Sequence, residues 1–518
     1  MNLQTIKRVL LVILTIIAVG QTTVSLFNSW QQPQTQSRIE LYQTNLVLNA
    51  TEWKKFTEAS SNKDADIYPK LREQLIGKEP LKNAQKQYEE LKTSLTKTQD
   101  SIKGDSLRDG KAGRSSSILA QTERIGSIVD ELDLRIGILQ AEQGQTNAAL
   151  ETWTNLIERS KFKTDGLNNF KTVAVLIDLW TDKSSITATS ETQIKANLDG
   201  WFKYRSLAKL YQVEQRPADL ANLELQQQNI AEQVVNKLLL VGVLPVIGLL
   251  IGTLLILGLT LQLAIRKKRS ILATNSGIGW KTPWDIETIS IVLIVGFFTV
   301  KDIVLPIVLG LILSLFQINP TKLDNLQQVM FSFVAYIGIA VLAVTILFFA
   351  IKKYFPLPPD WFKFKLTPQS IAWGIGGYLT AIPLVIIISL INQQLWGDRG
   401  GGNPILPVAL QGQDNLAKFL LFLTACIAAP IFEELIFRGF LLASLTRYLP
   451  VWGAITVSGL IFAVAHLSLS EVIPLTVLGM LLGFVYTRSR NLLSSMLMHA
   501  LWNSGTLITL FILGSGNS

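Results

Sequence analysis

The chain has 518 residues, of which 49% are hydrophobic and only 16% charged, too apolar for an ordinary soluble protein of that length. Its net charge of +9 does not point to nucleic acid, because Lys and Arg are dispersed or flank apolar runs and form no basic stripe interleaved with aromatics. A single cysteine, Cys426, excludes an intramolecular disulfide and a cysteine-rich metal site; it reads as a small apolar packing residue sharing a helix face with Glu433.

Several runs reach the roughly 20 apolar residues that a bilayer crossing needs. The expected fold is therefore all-α: a polytopic membrane helix bundle of eight or nine spans with an N-terminal extracytoplasmic helical domain. Lys7 and Arg8 precede an apolar stretch from Val9 to about Phe27, so residues 1–27 read as a signal anchor or a cleaved signal peptide, Ala18 and Gly20 having the small-x-small spacing a signal peptidase accepts. Residues 28–235 are polar, balanced in acids and bases, and read as mostly helical. Within them, Ser101 to Ser117 reads as a flexible break, with Gly104, Gly110 and Gly113. Leu132 to Ile157 reads as a helical hairpin turning at Gly144. Ile136, Gly137, Ala149 and Trp153 lie near positions where a tetratricopeptide repeat keeps Leu, Gly, Ala and Phe, and Tyr204, Leu207, Ala208 and Tyr211 make a second partial match. Stacking needs at least about three repeats, so a generic helical domain stands beside that reading.

Residues 236–415 carry further spans. Leu238 to Ile265 ends in Arg266, Lys267, Lys268 and Arg269, a strong positive-inside stop. Thr288 to Phe316 is interrupted by Lys301 and Asp302. One crossing keeps Lys352, Lys353, Lys363 and Lys365 on the side of Arg266 to Arg269, whereas a hairpin would put them opposite, so one crossing is expected, with Lys301 and Asp302 paired or facing protein. Spans follow at about Met330 to Ile351 and Ser370 to Ile391, then a glycine-rich loop over Gly397 to Pro404. The last spans are expected at about Leu416 to Phe440, Gly453 to Leu469, Val472 to Thr487 and Leu492 to Leu513. Threaded from a cytoplasmic N-terminus, they put Arg438, Arg447, Arg488 and Arg490 inside and the polar insert outside.

Residues 416–513 hold the chemistry. Ile431 to Gly439 reads Ile-Phe-Glu-Glu-Leu-Ile-Phe-Arg-Gly, two carboxylates and a guanidinium in an apolar run. Ionisable groups inside a span are costly and mark functional sites. Glu434 and Arg438, at i,i+4, can face each other as an ion pair. Neighbours on a helix point about 100° apart, which leaves Glu433 as the free carboxylate and the candidate general base. The only two histidines, His466 and His499, fall in the apolar runs that follow. Phe462 precedes His466 by one turn, and His499 precedes Asn503 by one turn, so each pair shares a helix face. Imidazole supplies a metal ligand or an acid–base group, and carboxamide a donor to a developing oxyanion. A carboxylate, two histidines and an amide from three helices suit the activation of water for hydrolysis. No His-Glu-x-x-His zinc motif is present, and no serine stands in a nucleophile-elbow context. Taken singly, each polar residue also reads as an interhelical clamp.

Glu433-Glu434-x-x-x-Arg438, Phe462-x-x-x-His466 and His499-x-x-x-Asn503, in that order, resemble the CPBP intramembrane proteases, the CAAX prenyl endopeptidase and bacteriocin-processing (Abi) family. The resemblance covers about a fifth of the chain, and the insert and first span lie outside the usual family core. It implies a membrane-embedded endopeptidase in which Glu433 activates water with His466 while His499 and Asn503 hold the oxyanion. A variant of the same resemblance makes Glu433, His466 and His499 ligands of a metal, commonly zinc. The implied partners are a membrane-associated protein or peptide substrate and the lipid bilayer. Residues 28–235 are a candidate surface for a protein partner, and the expected site is a bacterial plasma membrane or related internal membrane. Two other function classes use the same residues: a non-catalytic scaffold whose insert binds partners, and a transporter, for which no repeated half is evident in the sequence.

Overall fold

Local signals set many helix boundaries. Asp285, Asp324 and Asp414 each accept the backbone N–H three residues on, from Thr288, Gln327 and Ala417, satisfying amides that a first helical turn leaves without a partner. Arg490 closes its helix in the left-handed region at φ 52°.

The computed structural model describes the chain except residues 1–2, 31–34, 55–66, 110–114, 161–166, 182–188, 321–322, 397–399, 403–404, 412–413 and 515–518. Every regular element among the described residues is helical. In chain order they are α1 (Leu3–Trp30), α2 (Thr35–Ala50), α3 (Ile67–Ile76), α4 (Pro80–Asp109), α5 (Ser115–Glu142), α6 (Thr146–Ser160), α7 (Leu167–Trp180), α8 (Ser190–Asn197) and α9 (Gly200–Val213). There follow α10 (Pro217–Arg266), α11 (Ile286–Leu315), α12 (Asn325–Ile351), α13 (Pro368–Trp396), α14 (Ile405–Gln411), α15 (Asn415–Leu445), α16 (Val451–Val464), α17 (Val472–Ser489) and α18 (Leu492–Gly514). The chain divides into two compact units, Met1–Thr35 with Leu244–Phe511, and Gln36–Val243 with Ile512–Ser518.

The polar unit is built of antiparallel helices around its own core, which includes Tyr88, Leu134, Ile138, Trp153 and Phe202. The hairpin expected over Leu132 to Ile157 is α5 and α6, with Gly144 at φ 76° in the turn. A Cβ on Gly137 would stand 2.1 Å from the Trp153 indole, so only glycine lets these two helices approach so closely. Trp153 also donates to the Leu134 carbonyl at 3.2 Å. The break expected over Ser101 to Ser117 is narrower than its glycines suggest: helix runs to Asp109 and resumes at Ser115, while 110–114 lie outside the described residues. A lone glycine such as Gly104 costs a helix only about 1 kcal/mol, which neighbouring turns can absorb.

The second unit is an integral, multi-pass membrane bundle. Among the described residues eight helices are long and apolar enough to cross a bilayer. The remaining expected span, Gly453 to Leu469, is a shorter helix, Val451–Val464. At about 1.5 Å per residue it reaches about 21 Å, short of the roughly 30 Å hydrocarbon layer. α16 and α17 form a hairpin that crosses at glycine: a Cβ on Gly479 would sit 2.8 Å from the Gly459 Cα, and one on Gly459 2.9 Å from the Met480 nitrogen. The long run with Lys301 and Asp302 is one helix, α11, as the charge argument requires.

Loop contacts sort the helix ends into two groups. At one, Leu469 N–H donates to Ser29 at 3.0 Å, Ser470 donates to the Gly400 and Gly401 carbonyls at 3.1 and 2.9 Å, and Asn392 donates to the Ser470 carbonyl at 2.6 Å. At the other, Lys7 and Arg8 pair with Glu287 at 2.9 and 3.2 Å, Arg447 donates to the Trp284 carbonyl at 2.5 Å, and Asn491 donates to the Lys365 carbonyl at 2.6 Å. Trp280, Trp284, Trp361 and Tyr486 gather here too, and the Arg490 guanidinium lies 3.7 Å over the Trp280 ring. Cations and aromatics concentrated at one end match the side that loop charge designates cytoplasmic.

Candidate active site

The site is assembled from helices whose turns are locally widened. π-helical turns occupy Ile291–Val304 of α11 and both Leu423–Ala428 and Leu435–Leu442 of α15. Such turns are rare and recur at functional positions, because each displaces a carbonyl or side chain from its α-helical direction.

Glu434 and Arg438 form the expected ion pair, Nη1 to Oε1 at 2.7 Å, with both side chains fully buried. The second Arg438 nitrogen, Nη2, donates to the Gly479 carbonyl at 3.1 Å, a position reachable because α16 and α17 cross there on glycine. Its guanidinium lies 4.4 Å over the Phe462 ring. Glu434 Oε1 also meets His499 Nδ1 at 3.0 Å, which turns the other imidazole nitrogen, Nε2, to 3.9 Å from Glu433 Oε2. The two adjacent acids are thus divided by their partners. Glu434 is tied to two cationic or cation-capable groups on one oxygen. Glu433 is 15% exposed and receives only the Tyr336 hydroxyl, at 3.0 Å on Oε1, among the described hydrogen bonds.

Phe462, buried at 1% exposure, is the hub of the rings. It stands edge-on to both imidazoles, with centroids 4.8 Å from His466 and 5.7 Å from His499. His466 Nδ1 meets the Phe462 carbonyl at 2.8 Å. A carbonyl can only accept, so Nδ1 carries the proton and Nε2 is left for chemistry. Asn503 lies elsewhere on the same helix partner: its Nδ2 donates to the Ala425 carbonyl at 2.7 Å, within the first π-turn of α15. His499 and Asn503 therefore meet α15 two turns apart, and one amide N–H of Asn503 is already engaged. Cys426 is buried at 3% exposure. It sits within the first π-turn of α15, Leu423–Ala428, and an α-helical stretch, Ala429–Glu434, leads from there to Glu433.

Among the described residues no group of three or more His, Cys, Asp or Glu side chains could hold a metal ion. Glu433, His466 and His499 are not gathered into such a group here, and the Nδ1 contacts of the two histidines leave Nε2 of each as the nitrogen that would face a metal.

Two contributors escape a reading of the sequence. Tyr336 on α12 looks like any aromatic in an apolar helix, and nothing in its neighbourhood signals contact with Glu433. Lys301 on α11 was visible as a charge inside a span, but its partner was not: its Nζ donates to the Ala465 carbonyl at 2.6 Å, one residue before His466.

Residues 415–505 match the family described as Type II CAAX prenyl endopeptidase Rce1-like. The chain is also similar to a Bacillus subtilis (strain 168) protein named "Putative membrane peptidase YdiL", with 26% identity over 142 residues, 27% of this chain. It spans 56% of the length of that relative. No solved structure matches it.

Proposed function

Residues 415–505 form a domain of the CPBP, or CAAX-protease, family, and from that premise we propose that the protein is an intramembrane endopeptidase that activates water on Glu433. The observation that carries this reading is the division of labour between the two acids. Glu434, bound to Arg438 and His499, is spent on structure. Glu433 holds one oxygen toward His499 Nε2 with only a neutral hydroxyl on the other.

In the proposed reaction Glu433, assisted by His466 Nε2, takes a proton from water as the oxygen attacks the peptide carbonyl carbon. The tetrahedral oxyanion is met by His499 Nε2–H and the remaining N–H of Asn503. With His499 doubly protonated, the cluster of Glu433, Glu434, Arg438 and His499 is neutral overall, which is what an apolar layer tolerates. Collapse breaks the C–N bond, and Glu433 returns its proton to the leaving amine. The family likeness carries prenylated-peptide specificity only as a candidate, and a membrane-associated protein or peptide is the substrate class proposed here.

The decisive comparison is between strains carrying the wild-type chain and Glu433→Gln. The amide keeps size and hydrogen bonding but cannot accept the proton, and general-base catalysis contributes typically about 10²–10⁴-fold. Membrane proteins that are cleaved in the wild type should accumulate intact in the variant at unchanged expression. A Glu433→Gln strain with a wild-type membrane proteome would sink the peptidase reading and favour a scaffold.

A further inference from the structure

We infer that Tyr336 on α12 and Lys301 on α11, both upstream of the matched segment, are positioning residues that hold the acid and the first histidine of the catalytic centre in register. The inference rests on the peptidase reading above.

Consider Tyr336 first. Its hydroxyl donates to Glu433 Oε1 at 3.0 Å from a different helix. A carboxylate held at one oxygen loses its rotation about the last side-chain bond, and its other oxygen is left in a fixed direction. That direction is toward His499 Nε2, 3.9 Å from Oε2. The tyrosine ring is itself braced edge-on against Phe432, with centroids 6.1 Å apart, so the donor does not swing freely. A neutral donor suits the task.

Lys301 acts at the other side of the reaction. The last carbonyls of any helix lack intrahelical donors, and α16 ends just before His466 inside an apolar layer, where water does not repair the loss. Lys301 Nζ supplies the donor to the Ala465 carbonyl at 2.6 Å, and a cation at a helix C-terminus also opposes the dipole. Its charge is matched by Asp302 at 3.5 Å and lies within electrostatic reach of Glu433. A lysine kept only for solubility would snorkel to the headgroups. This one sits midway along α11, about 22 Å of helix from either end, too far for that. Its placement is explained by the turn that carries His466.

Both halves are testable with the full-length protein in detergent and in cells. The probes are dicyclohexylcarbodiimide, which modifies carboxyls within membranes, and diethylpyrocarbonate, which modifies imidazole. A chain with two histidines makes the second readout clean, and peptide mass spectrometry separates His466 from His499. Tyr336→Phe should raise the carbodiimide rate at Glu433 several-fold and leave Glu434 protected. Lys301→Met should raise the diethylpyrocarbonate rate at His466 several-fold relative to His499, and Lys301→Arg should restore it. In cells both Tyr336→Phe and Lys301→Met should accumulate the same membrane proteins as Glu433→Gln. Unchanged reagent rates in folded variants overturn the inference. So does a wild-type proteome in both variants while Glu433→Gln accumulates substrate. If Glu433→Gln itself accumulates nothing, it is the peptidase reading that fails, and the reagent rates still decide whether the two residues fix the geometry.

Discussion

Arg438 is among the largest fully buried side chains in the bundle, and its surroundings explain how an apolar interior holds it. Glu434, the Gly479 carbonyl and the Phe462 ring face it from three helices. Removing one partner of a buried pair strands the other charge, at a cost of about 3–5 kcal/mol, whereas replacing both with apolar groups is often near neutral. Arg438→Met should therefore destabilise the bundle by about that amount in a reversible unfolding titration in detergent. The double variant Glu434→Leu/Arg438→Met should recover part of the loss. A loss in the double variant equal to the sum of the losses in Glu434→Leu and Arg438→Met would mean that the pair is not energetically coupled. This pair was legible from its i,i+4 spacing. The His499 contact to Glu434 was not, because 65 positions separate them and only the packing of α15 against α18 joins them.

Elements in the polar unit are tied by a different device. Glu191 on α8 receives Lys195 at 2.6 Å, Arg216 at 2.8 Å and the Tyr211 hydroxyl at 2.9 Å. These link α8, α9 and the turn into α10. The Lys195 and Arg216 hydrogen bonds hold its carboxyl below the ordinary 4.5, at about 2. A depressed folded value means the contribution is fully present above the unfolded value and fades as pH falls from about 4.5 toward 2. Unfolding midpoints followed by the fluorescence of the full chain should fall across that window. Glu191→Gln should flatten the fall, and a variant with the same acid sensitivity as wild type would remove Glu191 as its source. The hairpin of α5 and α6 was foreseeable from Gly144 and the small residues around it. The π-turns of α11 and α15 were not. A wide turn has no residue signature of its own and arises where neighbouring helices demand the displaced carbonyl, as Asn503 does at Ala425.

At the scale of the whole molecule, charge supplies an orientation that can be measured. Single cysteines placed in a Cys426→Ser background should react with a membrane-impermeant maleimide according to side. Lys267→Cys and Tyr448→Cys should be protected in sealed right-side-out vesicles, whereas Gln317→Cys and Lys82→Cys should react. Lys82→Cys grouping with Lys267→Cys would overturn the extracytoplasmic placement of the polar domain. By itself the sequence determined the all-helical, multi-pass character of the chain, its single crossing at Lys301 and the residues on which hydrolysis is proposed. Apolar run length, flanking charge and the cost of a buried ion are properties that a linear pattern carries. Only the tertiary structure decided that His499 joins Glu434 while turning its other nitrogen toward Glu433, and that Tyr336 and Lys301 belong beside them. Those assignments depend on distances between helices far apart in the chain, and such distances are set by side-chain packing across the bundle.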